Sequence, residues 1–162
     1  MDTRKLFYDI YRNNVTAEQH YLPWALCMLE KDYESPSLYI LASLQSPYNI
    51  FEVEEYFKRA IGELKITIPS EQECIDYMIY TRLQKITQDE DMAITEAYEL
   101  YNMFCELDCP EELVAWVYIS DLIDNFQYED NDLEVTEEVL LQEIIREAKN
   151  QLKKYSPWSD EK

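Results

Sequence analysis

Few side chains in this sequence could carry out chemistry, and their spacing limits what they could do. His20 is the single histidine. A Ser-His-Asp or Cys-His device would have to use it, yet no serine or cysteine sits in a recognisable nucleophile setting. His20 therefore reads as structural. Cys105-Glu-Leu-Asp-Cys109 brings two thiols near one another at a predicted helix end. No second Cys or His pair completes a tetrahedral zinc site, so Cys105 reads as core and Cys109 as a loop residue before Pro110. Asp130-Asn-Asp132-Leu-Glu134 alternates oxygen donors as a calcium loop does, but an EF-hand needs glycine at its sixth position and glutamate at its twelfth. Counted from Asp130, those positions hold Val135 and Leu141. A di-iron bundle needs two Glu-x-x-His pairs, which one histidine cannot supply. Carboxylate pairs for glycosidase-type acid–base work exist in any acidic chain, and nothing singles one out. The expectation is a protein without cofactor or metal, and not an enzyme.

The elements that must position these residues are predicted to be helical throughout. One glycine, Gly62, in 162 residues argues against sandwiches and barrels, whose tight turns need positive φ. It also argues against phosphate-binding loops, which need several glycines for close backbone approach. Apolar residues make up 47% and charged residues 30%, a globular balance that suits one domain of this length. Neither an export signal nor a run of the roughly 20 apolar residues of a membrane span is visible. Four dispersed cysteines without an export signal then point to reduced thiols in the cytoplasm.

Polar caps and prolines punctuate the helices. The first is predicted over Thr3–Arg12; Thr16 caps a second, with a restart at Pro23. Ser35-Pro36 opens a third through Leu44, and Asn49 with Glu52 starts a fourth to Leu64. Ser70 and Glu73 form a capping box for a helix through Ile86. Further helices follow over Glu90–Leu107, from Pro110 to Phe126, and from Thr136 to Tyr155. Leu64–Ile68 alternates with period two and could alternatively be a short strand. The expected fold is all-α, an irregular or layered bundle of about eight helices, in a single domain over 1–155 with a frayed tail at 156–162.

Charge distribution carries the functional signal. The formal net charge is −20, and residues 86 to 145 contain 18 acids with no Lys, Arg or His. A solubility requirement would be met by mixed charges with a modest excess. A one-sided field repels nucleic acid and anionic membranes and steers basic protein surfaces inward. The plainer alternative is a solvated acidic face. Density peaks between Asp121 and Glu138, where Tyr128 is interleaved with carboxylates, a mixture that suits an interface with aromatic anchors and a charged rim. Most aromatics at helical spacing (Tyr56, Tyr77, Tyr98, Tyr101, Trp116) read as core or core edge.

The stretch from Leu26 to Leu44, continued by Ser46 to Phe57, resembles a phrase recurring in small, acidic, uncharacterised all-helical bacterial proteins. In character, though not through an alignable motif, the chain is also similar to bacterial toxin-immunity proteins. That resemblance implies a partner-blocking role and assigns no residue.

The leading expectation is a non-enzymatic interaction protein that binds a basic protein partner, in its most concrete form an immunity protein against a cationic toxin. The candidate partner-binding residues are Asp121, Asp124, Tyr128, Glu129, Asp130, Asp132 and Glu134, with Glu111 and Glu112 as outer steering charges. The alternatives are a nucleic-acid mimic that occupies a DNA-binding protein, and a helical enzyme or adaptor with a carboxylate-lined cleft.

Overall fold

The Ser, Thr and Asn helix-start signals hold, each through a specific bond. In the computed structural model, which describes residues 2–128 and 136–155, Asp2 caps α1 (Thr3–Tyr11) by accepting from the Arg4 N–H at 2.8 Å. Thr16 caps a π-helical turn, Ala17–Tyr21, that runs directly into α2 (Leu22–Glu30), whose second residue is Pro23. Ser35 caps α3 (Pro36–Ser43), and Asn49 caps α4 (Ile50–Glu63). Ser70 and Glu73 close a capping box on α5 (Glu71–Gln88): the Ser70 N–H reaches Glu73 Oε2 at 2.7 Å and the Glu73 N–H reaches Ser70 Oγ at 3.3 Å. A 3₁₀ turn, Glu90–Met92, leads into α6 (Ala93–Glu106), and another, Glu111–Leu113, precedes α7 (Ala115–Gln127). Thr136 caps α8 (Glu137–Leu152). The protein is all-α, with eight α-helices and no strand among the described residues. The expected 156–162 tail lies outside them.

Helix ends explain how the chain manages with one glycine. After α1, α2, α4 and α6 the chain turns through a left-handed residue: Asn13, Asp32, Lys65 and Asp108, at φ 53°, 62°, 54° and 62°. Each turn carries the long Schellman bond back into its helix, for example Asn14 N–H to Asp9 C=O at 3.0 Å and Ile66 N–H to Ile61 C=O at 3.0 Å. Asn and Asp tolerate this conformation, whereas Lys65 bears the full steric penalty of its Cβ. Gly62, meanwhile, sits inside α4, where a Cβ would meet nothing within 4 Å. Moving the glycine to where it is needed, by Gly62→Ala with Lys65→Gly, is expected to stabilise the protein by about 1–2 kcal/mol. Thermal and urea unfolding check this.

The chain packs as two compact units, Met1–Met78 and Ile79–Lys162, with the division inside α5. In the first, α2 packs on α3 and α3 on α4. Phe57 is the hub of its core, with ring centroids 4.9 Å from Trp24, 5.0 Å from Tyr21 and 5.8 Å from Phe7. Buried Trp24 satisfies its indole N–H on Thr3 Oγ at 3.1 Å. The Glu63 carboxylate accepts from the Ser37 N–H and hydroxyl at 3.0 and 2.6 Å, tying the end of α4 to the start of α3. Those bonds hold its carboxyl below the usual range. On α4, Val53 is buried and Phe51 stands 80% exposed.

In the second unit α6, α7 and α8 each pack against the other two. Trp116 is fully buried and donates its indole N–H to Gln151 Oε1 at 3.1 Å. The buried face of α6 is Ala93, Glu96, Ala97, Leu100 and Met103. That register corrects one expectation: Cys105 is exposed rather than core.

Candidate protein-interaction surface

Helix α7 has two faces set by its own period. Trp116, Ile119, Ser120, Leu122 and Ile123 point inward. The opposite face presents Val114, Tyr118 and Asp121, at spacings of four and three residues that keep them aligned along a helix, and Tyr128 follows as the C-cap in an extended conformation. Val114 is 51%, Tyr118 62% and Tyr128 68% exposed. Large rings left this open form an aromatic stripe available to a partner. Glu111 and Glu112 stand exposed on the 3₁₀ turn before it, and Asp121 is exposed in its middle. Five of the nine predicted residues are thus placed by α7 and its leading turn. Glu129, Asp130, Asp132 and Glu134 lie outside the described residues.

Asp124 is turned differently. It is half-buried and lines a groove of about 370 Å³ between α6 and α7, together with Ile94, Thr95, Tyr98, Glu99, Ile123, Gln127 and Tyr128. Tyr128 therefore belongs both to the exposed stripe and to the groove. The Asp124 carboxylate makes no hydrogen bond or ion pair to a described residue.

One acid of the base-free segment leaves the surface altogether, and a second, 43% exposed, is paired beside it. Glu96 is 4% exposed and takes Arg82 Nη1 and Lys85 Nζ, both at 2.7 Å. Arg82 Nη2 also reaches Glu99 at 3.1 Å. The bases come from α5, immediately before the segment begins, so Glu96 and Glu99 are neutralised within the fold. The uncompensated acids concentrate further along.

The remaining chemistry candidates stand as follows. The Thr16 N–H donates to His20 Nδ1 at 3.1 Å, which leaves Nε2 facing Asp9 Oδ2 at 3.6 Å. The Nδ1 lone pair is thereby occupied and cannot take a proton from the Thr16 hydroxyl 3.3 Å away. Burial pushes the Asp9 carboxyl up, against the pull of His20, Lys5 and Arg12. Among the described residues no group of three or more His, Cys, Asp or Glu converges as a metal site would.

The thiols differ in reach. Burial, reinforced by Glu73, pushes the Cys74 thiol up to about 11, while Cys105 and Cys109 are exposed. Thiolate is the reacting form. Brief iodoacetamide treatment at pH 8, read by peptide mass spectrometry, should therefore label Cys105 and Cys109 and spare Cys74 until the protein is unfolded.

Val114, Tyr118 and Gln127 were not singled out from the sequence. The first two had a signal in the spacing Val114-Tyr118-Asp121, the complement of the Trp116-Ile119-Ile123 core stripe. Gln127 had none, because a groove requires knowing which helix lies alongside.

No family model, curated protein or solved structure matches the chain. No helix among the described residues is long and apolar enough to cross a membrane.

Proposed function

We propose that this is a non-enzymatic interaction protein that captures a basic protein partner through the outer face of α7. In its most concrete form it is a cytoplasmic immunity or inhibitor protein that blocks a cationic toxin. The observation that carries the reading is the exposed line Val114, Tyr118, Asp121 and Tyr128, lying in a 60-residue segment without a base. Exposed tyrosines supply rigid contact area at little entropic loss, and surrounding carboxylates select and steer a cationic surface. The carboxylates act mainly on association rate, because each exposed charge adds little to affinity. The tyrosines govern residence time.

The test is capture from host extract at low salt, followed by kinetics on the purified partner between about 50 and 500 mM salt. Glu111→Gln, Glu112→Gln and Asp121→Asn together should slow association about tenfold at low salt and flatten its salt dependence. Tyr118→Ala should instead speed dissociation about tenfold or more. A captured partner whose binding ignores both salt and these changes would overturn the reading. Displacement of that partner by DNA would favour the nucleic-acid-mimic alternative.

A further inference from the structure

We propose that the groove between α6 and α7 receives an arginine side chain of the partner, an assignment that rests on the interaction reading above. At about 370 Å³ the groove has room for one long side chain. Its apolar lining, Ile94 and Ile123, suits the methylene stem, which arginine buries while keeping its head polar. Tyr98 and Tyr128 line the groove and stay 38% and 68% exposed, offering ring faces to a planar cation. Asp124 lines it with a carboxylate that has no partner among the described residues.

Charge complementarity chooses the occupant. The groove is built wholly from residues between 86 and 145, where no base occurs. Guanidinium is favoured over ammonium because it stacks on aromatic faces and pairs with a carboxylate through a rigid fork. Glu99, which also lines the groove, is already held by Arg82 Nη2 at 3.1 Å. Asp124 is therefore the carboxylate left for an incoming guanidinium.

The probe is N-acetyl-arginine-N-methylamide, titrated into the ¹⁵N-labelled protein, with the N-acetyl-lysine analogue in a parallel titration. Saturable shifts are expected at Tyr98, Asp124 and Tyr128, with the lysine probe at least about fivefold weaker. Asp124→Asn should weaken arginine binding about tenfold, and Tyr98→Ala should weaken it severalfold. Glu106→Gln, an exposed acid elsewhere on α6, should leave it unchanged. Both altered groove residues are at least partly exposed, and circular dichroism confirms that the variants are folded. Non-saturating shifts, equal response to the two probes, or equal binding by Asp124→Asn would each overturn the groove assignment. If that happened while partner capture remained salt-sensitive and dependent on Tyr118, only the groove would fail. Loss of both behaviours would overturn the interaction reading as well.

Discussion

Glu96→Ala is expected to lower the unfolding free energy by about 3 kcal/mol, the lower end of the range for breaking a buried ion pair. Glu96 is 4% exposed and meets two cations at 2.7 Å. Its removal strands them unequally. Lys85 is 57% exposed and returns to water, whereas Arg82 is only 19% exposed and keeps Glu99 alone. Its Nε already lacks a partner, so the guanidinium has little to fall back on. Replacing both members by apolar residues, Glu96→Leu with Arg82→Met, should recover most of the loss, because no uncompensated charge then stays inside. Urea midpoints of the single and double variants decide this. If Glu96→Ala unfolded at the wild-type midpoint, the cluster would be surface decoration. Because the carboxylate is buried, the difference should persist in about 0.5 M salt, where exposed pairs are screened.

Phe57→Ala should be the most damaging apolar truncation in the first unit, at about 3–5 kcal/mol. The ring is 4% exposed and contacts Trp24, Tyr21 and Phe7 from three sides. Trp24 and Tyr21 approach edge-on, at 80° and 60°, a geometry that adds to the burial term. Phe57→Leu keeps an apolar filling of the site and should be much milder, at about 1–1.5 kcal/mol. Equal losses for the two variants would mean that apolar filling recovers nothing and that the ring contacts account for the loss. Urea unfolding followed by tryptophan fluorescence makes the comparison.

These two residues also show how far the sequence could be read. Phe57 was legible as part of a helix announced by the Asn49 cap. Its partners were not, because Phe7 and Trp24 come from distant helices. In the sequence Glu96 is only one of the 18 acids of the base-free segment. A hydrophobic pattern scores a glutamate as polar and cannot see that Arg82 and Lys85 of α5 will meet it. The same blindness placed Cys105 inside, whereas it is exposed. The connector after α4, which alternated like a strand, carries none because it has no neighbouring edge with which to pair.

The candidate surface divides in the same way. Asp121 and Tyr128 were legible because charge and composition are read along the chain. Asp124 was named for its charge alone, and its place in a groove depends on α6 lying beside α7.

Helix positions, caps and the run without bases follow from local chemistry. A Ser, Thr or Asn accepting from an N–H two or three residues on is complete within one turn. Which side of each helix faces inward, which acids are neutralised and which tyrosines stay open were decided only when the helices packed. Burial is a property of neighbours, and neighbours in space are seldom neighbours in sequence.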